Sequence, residues 1–146
     1  MNRPSFHQIY MRLAEMMAER STCVRTNSAG DIMRVGCVIA TPDFRKVISV
    51  GYNGNASGLP NVCDSATPGA CGCIHAEANA VVNCDVPRYT EKVVFCTHLP
   101  CVNCAKLLIN LGNVREVLYK NDYRIRTSLE LFDKVGIAYK QLGVEA

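Results

Sequence analysis

The first third of the chain shows one helical and two extended hydrophobic patterns. Between residues 6 and 20, apolar side chains recur every three or four positions, which is the spacing of one helix face. Ser5, with Gln8 three residues later, has the pattern of a capping box at the start of this helix. Apolar runs at 35–40 and 47–52 predict two strands, and the Thr-Pro-Asp sequence between them favours a hairpin turn.

The rest of the chain is a long loop followed by alternating helix and strand patterns. The loop, residues 53–72, is dense in Gly, Pro, Asn and Ser, and loops of this length usually carry function. After it, segments with helical spacing alternate with short apolar runs. We predict helices at 74–84, 101–111 and 127–135, and strands at 92–97, 114–120 and 137–142.

This order of elements predicts the topology. A helix between two strands returns the chain in the same direction, so we expect the strands that flank it to be parallel. The helix at 127–135 therefore makes the fourth and fifth strands parallel, whereas a short turn would make them antiparallel. We expect an α/β protein in which a five-stranded mixed sheet has helices on both faces, in one domain over residues 1–146.

Composition and charge exclude several classes of protein. Hydrophobic residues make up 49% and charged residues 20% of the 146 positions, which is typical of a globular domain. The formal net charge of +3 is too small to predict nucleic-acid binding, although it suits a phosphorylated ligand. The longest uncharged run, 47–63, is rich in Gly, Asn and Pro, and charges interrupt the first helix. We therefore expect neither a membrane span nor a secretory signal.

The nine cysteines are the unusual feature of the composition. Because the number is odd, the cysteines cannot all pair within the chain. With no export signal we expect a cytoplasmic, reducing environment, in which a high cysteine density indicates metal binding or catalysis before disulfides.

Two short motifs carry the chemistry. His75-Ala76-Glu77 opens one predicted helix, and Pro100-Cys101-Val102-Asn103-Cys104 opens the next. One helical turn brings Cys101 and Cys104 to the same side, and the positive end of the helix favours their thiolates. Both helices begin at the edge of the sheet where ligands of α/β proteins bind. We therefore predict a zinc ion held by His75, Cys101 and Cys104.

Three protein ligands leave one zinc position open, which is typical of a catalytic site. Zinc lowers the pKa of a bound water to about 7. Glu77, two residues after His75, is placed to take the proton of that water and pass it on. A carboxylate two residues along a regular helix would face away from the histidine, so this arrangement requires His75 to lie at the helix cap. A Cys-x-x-Cys motif alone fits a structural site equally well, but the two motifs together favour catalysis.

With these motifs, the sequence resembles the zinc-dependent cytidine and deoxycytidylate deaminase family over nearly its whole length. The zinc motifs belong to the whole family, whereas the Gly-Tyr-Asn-Gly run and Asn79 favour its deoxycytidylate (dCMP) deaminase branch. The resemblance implies a three-layer α/β/α cytidine-deaminase-like fold. It also associates a parallel last strand with members that act on nucleotides or nucleic acids. The residues that carry it are Arg20-Ser21-Thr22-Cys23, Val35-Gly36, Gly51-Tyr52-Asn53-Gly54, His75-Ala76-Glu77-Ala78-Asn79-Ala80 and Pro100-Cys101-Val102-Asn103-Cys104-Ala105-Lys106.

The activity that this resemblance implies is the hydrolytic deamination of dCMP to dUMP and ammonia, which supplies dUMP for thymidylate synthesis. Zinc hydroxide would attack C4 of the cytosine while Glu77 moves protons to N3 and to the leaving amine. By resemblance, Asn53 would contact the nucleoside. Tyr123, beyond the fourth strand, is a candidate to stack on the base or sugar, and Arg25 and Arg124 are candidates for the 5′-phosphate.

Regulation and assembly are implied by the family alone. Many dCMP deaminases are homohexamers that dCTP activates with Mg²⁺ and dTTP inhibits. The resemblance therefore predicts a homo-oligomer, with dCTP and dTTP as candidate effectors and Mg²⁺ only as the companion of a regulatory nucleotide. The candidate effector contacts lie at the end of the second predicted strand and just after it: Gly51, Asn53, Gly54 and Asn55.

A second group of cysteines precedes the catalytic helix: Cys23, Cys63, Cys71 and Cys73. Some phage and bacterial family members hold a second, structural zinc in the corresponding segments, and four thiolates would close a tetrahedral site. The stretch 64–72 is shorter than in longer relatives, so free, partly buried thiols are the alternative. We expect the remaining three in the core: Cys37, Cys84 and Cys96.

Two other functions fit parts of the pattern. A deaminase of the same fold that acts on tRNA or single-stranded DNA would need a basic surface for the nucleic-acid backbone, and the small net charge gives this little support. A non-enzymatic zinc module would complete Cys101 and Cys104 with Cys71 and Cys73, and it would not depend on Glu77.

Overall fold

The chain forms the alternating architecture that its hydrophobic pattern predicts. A computed structural model describes residues 2–26, 29–65, 71–123 and 125–143. The helices and strands lie within two or three residues of the predicted bounds, as expected where helix and strand ends are assigned. In chain order they are α1 (Phe6–Ala18), β1 (Gly36–Ala40), β2 (Val47–Tyr52), α2 (Ala76–Val82), β3 (Lys92–His98), α3 (Val102–Leu111), β4 (Val114–Asn121), α4 (Thr127–Val135) and β5 (Ala138–Gln141).

The predicted capping box starts α1. The Ser5 hydroxyl accepts a hydrogen bond from the Gln8 N–H at 3.1 Å, and the Gln8 side chain accepts one from the Ser5 N–H at 2.8 Å. These bonds satisfy two backbone groups that a helix end would otherwise leave without a partner.

The five strands form one mixed sheet in the order β2-β1-β3-β4-β5. β1 is antiparallel to both β2 and β3, and the predicted hairpin is therefore present. β3 and β4 are parallel, and so are β4 and β5, as the helix between these last two strands requires. This confirms the predicted five-stranded mixed sheet with parallel fourth and fifth strands.

Helices cover both faces of the sheet. Successive residues of a strand point to opposite faces, and in β1 Val38 belongs to the cluster with Met11 and Ala14 of α1, whereas Ile39 belongs to the cluster with α2, α3 and α4. The central strands are consequently buried on both sides. No described helix has the length and the apolar character that a bilayer span needs.

Candidate active site

The two chemical motifs lie at helix caps. His75 is the N-cap of α2 and Cys101 the N-cap of α3, and both have extended backbone conformations, with ψ of 152° and 170°. Cys104 lies one turn into α3, in its third position. The predicted requirement that His75 lie at the cap is thus met, and it places Glu77 in the first turn of α2.

His75, Cys101 and Cys104 converge on one point and form what we call the histidine–cysteine cluster. The His75 Nδ1 atom lies 3.5 Å from the Cys101 sulfur and 3.4 Å from the Cys104 sulfur. Tetrahedral zinc with ordinary Zn–N and Zn–S bonds places such ligand atoms about 3.6 Å apart. The nitrogen and the two sulfurs therefore fit a zinc ion with three protein ligands.

The close approach of these three groups shifts their proton affinities. Hydrogen bonds with Cys104 and His75 lower the pKa of Cys101 to about 3 in spite of its burial. The Cys101 sulfur and burial raise the pKa of Cys104, and the hydrogen bond with Cys101 raises the pKa of His75. A divalent cation would displace protons from these groups, because thiolates and neutral imidazole are the forms that bind metal.

Glu77 places a carboxyl group beside this cluster. Its side chain is buried, with 4% of the residue exposed, and it lines the same pocket as His75 and Cys101. Burial raises the pKa of Glu77 above its ordinary value. A carboxyl group that holds its proton closer to neutral pH is suited to take up and release protons during a reaction.

Three of the predicted substrate residues line this pocket: Arg25, Asn53 and Tyr123. The buried Asn53 side chain donates to the Met33 carbonyl at 2.7 Å and accepts from the Val35 N–H at 2.9 Å, so it also fixes the backbone at the pocket wall. The fourth predicted residue, Arg124, lies outside the described residues.

His98 also lines the pocket, and the sequence analysis did not select it. It is the last residue of β3 and stands three residues before Cys101. Its position at the end of a predicted strand could have indicated a site residue, because ligands of α/β sheets bind at the carboxyl ends of the parallel strands.

The candidate effector residues have structural contacts of their own. Gly51 packs against the backbone of α2, and Gly54 exchanges two backbone hydrogen bonds with Ile74. The Asn55 amide donates to two carbonyl groups of the following loop and, at 2.9 Å, to the Asp64 carboxylate. These residues order the loop that leads to the pocket.

The structure also brings together Cys23, Cys63, Cys71 and Cys73, which we call the cysteine cluster. The sulfur of Cys71 lies 3.4 Å from that of Cys23 and 3.5 Å from that of Cys63, which in turn is 3.4 Å from the Cys73 sulfur. In the alternative of a non-enzymatic zinc module, Cys71 and Cys73 would complete Cys101 and Cys104, but they meet Cys23 and Cys63 instead.

None of the nine cysteines forms a disulfide. Cys37 and Cys96 are fully buried on neighbouring strands, with their sulfurs 3.9 Å apart, as expected for core residues. Cys84 is only half-buried, and its predicted core position is wrong because α2 ends at Val82 and leaves Cys84 in the following turn.

Comparison with known proteins agrees with this geometry. Residues 4–121 match the model of the cytidine and deoxycytidylate deaminase zinc-binding region. The chain is 31% identical over 151 residues to the deoxycytidylate deaminase of Saccharomyces cerevisiae, covering 95% of this chain and 45% of the yeast protein. It is 30% identical over 159 residues to ComE operon protein 2 of Bacillus subtilis, covering 99% of this chain and 75% of that protein.

A solved structure shares the whole fold. The dCMP deaminase of the cyanophage S-TIM5, in complex with dCMP and dUMP, superposes with a TM-score of 0.81 at 27% identity, covering 97% of this chain and 100% of that chain. By contrast, the chain spans less than half the length of the deoxycytidylate deaminases of Saccharomyces cerevisiae and Schizosaccharomyces pombe, at 45% and 44%.

Proposed function

Because the chain belongs to the cytidine and deoxycytidylate deaminase family, we propose that it deaminates dCMP to dUMP and ammonia. The observation that carries this proposal is the buried Glu77 carboxyl beside a cluster of one nitrogen and two sulfurs that fits zinc. The similarity to a structure solved with dCMP and dUMP supports dCMP as the substrate.

Each part of the site has a task in this reaction. His75, Cys101 and Cys104 would hold zinc, and the bound ion supplies a Lewis acid that makes water a nucleophile at neutral pH. Glu77 takes up the proton of the attacking water and delivers protons to ring nitrogen N3 and then to the amine that leaves C4. Burial favours the protonated form of Glu77, which is the form that donates.

A substrate panel tests the proposal. We expect the zinc-loaded protein to release ammonia from dCMP in preference to CMP, deoxycytidine and a single-stranded oligonucleotide that contains cytosine. Preferential turnover of the oligonucleotide would contradict the proposal and favour a nucleic-acid deaminase of the same fold.

We also propose that the cysteine cluster holds a second, structural zinc. Tetrahedral zinc places four sulfurs about 3.8 Å apart, close to the sulfur distances of 3.4–3.5 Å in the structure. The Val24 N–H donates to the Cys63 sulfur at 3.1 Å, which helps to hold this sulfur in place. Hydrogen bonds from the Cys73 backbone and the neighbouring thiols outweigh burial and lower the pKa of Cys71 to about 7.

Zinc counting tests this second site. We expect two zinc ions per chain in the purified protein and one in Cys63→Ser. Cys84→Ser, which changes a half-buried cysteine outside both clusters, should keep two. One zinc ion per wild-type chain, retained in Cys63→Ser, would remove the proposal.

Assembly, regulation and location complete the proposal. We propose a cytoplasmic homohexamer whose activity responds to dCTP with Mg²⁺ and to dTTP. The effector contact would be the end of β2 and the start of the following loop, with Gly51, Asn53, Gly54 and Asn55. All nine cysteines are free, and six of them lie in two arrangements that can bind metal, which suits a reducing compartment. Light scattering should give the mass of six chains, and dCTP should convert sigmoidal dCMP kinetics to hyperbolic kinetics. A monomeric mass would contradict the hexamer, and kinetics insensitive to dCTP and dTTP would contradict the regulation.

A further inference from the structure

His98 is a polar residue of the pocket that the proposed reaction does not yet use. It ends β3, is half-buried, and lines the pocket together with Arg25, Glu77 and Tyr123. It is not one of the residues whose ligand atoms converge in either cluster. Its imidazole is therefore available to a bound molecule.

A short hydrogen-bond chain reaches the Nδ1 atom of His98. The buried Thr97 hydroxyl accepts from the Gly36 N–H at 3.1 Å and lies 2.9 Å from the His98 Nδ1 atom. The Thr97 hydroxyl has a second lone pair and one proton, so it can accept from Nδ1 or donate to it. In the tautomer in which Thr97 donates, Nε2 carries the hydrogen of the neutral ring.

Burial and a nearby positive charge favour the neutral ring. Burial and the positive charge of Arg25 lower the pKa of His98. The pocket lining thus combines the guanidinium of Arg25 with a neutral imidazole, which is a donor at Nε2 when Thr97 donates to Nδ1. This combination suits an anionic group of the ligand, because a hydrogen bond to a charged acceptor is stronger than one to a neutral acceptor.

We propose that His98 donates its Nε2–H to the 5′-phosphate of the nucleotide, beside Arg25, and so favours a nucleotide over a nucleoside. This inference rests on the proposed function, because it needs a nucleotide whose base reaches Glu77. It assigns to His98 a role in substrate specificity, and to Thr97 the role of a positioning residue that fixes the tautomer.

Comparison of a nucleotide with its nucleoside tests the assignment. In His98→Leu we expect kcat/KM for dCMP to fall about 10- to 100-fold, mainly through KM, as for the loss of one charge-assisted hydrogen bond. The dissociation constant of dUMP should rise by a similar factor, whereas that of deoxyuridine should stay the same. His98→Gln, whose amide nitrogen can replace Nε2 as a donor, should recover part of the loss.

Controls separate this role from a structural one. His7→Leu, a change of a half-buried histidine that packs against Phe44 and Phe95, should leave both dissociation constants unchanged. Zinc content and thermal midpoint show whether each variant is folded. If His98→Leu does not fold, His98→Gln and imidazole ¹⁵N NMR of the wild type still test the assignment, and the spectrum should place the proton on Nε2.

Several results would overturn the assignment. With dCMP turnover by the wild type intact, His98→Leu would contradict it if the dissociation constants of dUMP and deoxyuridine rose equally, or if neither rose. A proton on Nδ1 in the wild type would also contradict it. A wild-type protein that neither turns over dCMP nor binds dUMP would instead overturn the proposed function, and this inference with it.

Discussion

Lys92 is a buried cation that joins three parts of the chain. It begins β3, and its ammonium group donates to the carbonyl groups of Arg88, Thr90 and Gly112 at 3.2, 2.7 and 2.8 Å. Gly112 ends α3, where the helix dipole favours a positive charge. The cation therefore anchors the end of α3 opposite to the one that carries Cys101.

Replacement of this lysine should lower stability. In Lys92→Met the three carbonyl groups lose their common donor, so we expect the free energy of unfolding to fall by about 1–3 kcal/mol. Lys106→Met, on the exposed side of α3, is the matched control and should change stability by less than about 0.5 kcal/mol. Equal unfolding midpoints of the two variants in urea would contradict this role of Lys92.

At the scale of elements, the contact between β2 and α2 positions the site. A Cβ atom added at Gly51 would lie 2.3 Å from the Ala76 carbonyl oxygen and 2.6 Å from the Ala80 nitrogen, so only glycine allows this approach. The Asn79 side chain also ties α2 to β2, since its amide donates to the Tyr52 carbonyl at 2.9 Å. Both contacts fix the helix that begins at His75.

A methyl group at Gly51 should therefore displace α2. In Gly51→Ala we expect a loss of about 1–3 kcal/mol of stability, as for an overpacked core, and a lower zinc content because His75 moves with the helix. Gly54→Ala is the control for stability, since its Cβ would meet the Tyr52 ring at an ordinary 3.6 Å. A wild-type thermal midpoint and zinc content in Gly51→Ala would contradict the account.

The features that the sequence predicted correctly are those that local residue patterns determine. Hydrophobic spacing identified the elements, and the helix between the fourth and fifth strands determined their parallel pairing. The motif spacing also predicted that His75, Glu77, Cys101 and Cys104 lie together, as they do in the structure. Cys23 and Cys63 reach Cys71 and Cys73 through loops without regular structure, so periodicity carried no information about their meeting, and the resemblance alone predicted it. The pocket position of His98 depends on where β3 ends, which sequence patterns locate only approximately.

At the scale of the whole molecule, two short stretches of chain connect the cysteine cluster with residues of the pocket. One residue separates Cys73 from His75, and one residue separates Cys23 from Arg25. The cysteine cluster thereby holds the two segments that lead into the pocket. A metal ion there would order both segments at once, because metal binding is coupled to the folding of the residues that supply its ligands.

Removal of the metal ion should loosen these two segments while the sheet stays folded. On treatment with a chelator we expect amide hydrogen exchange in residues 21–26 and 71–75 to rise at least about tenfold, or roughly 1.4 kcal/mol of local opening free energy, while β3 and β4 stay protected. Cys63→Ser should show the same increase without chelator. Uniform exchange across the segments and the sheet would contradict the link between the cysteine cluster and the pocket.

In the proposed reaction, Glu77 moves protons beside a zinc ion held by His75, Cys101 and Cys104. The most direct test measures dUMP formation from dCMP by zinc-loaded wild type and Glu77→Gln, with zinc content determined in both. Glu130→Gln, which changes an exposed carboxylate in the first turn of α4, is the matched control. We predict that Glu77→Gln keeps its zinc and loses about 100- to 10,000-fold in kcat, with Glu130→Gln unaffected. Wild-type turnover by zinc-loaded Glu77→Gln would contradict the account.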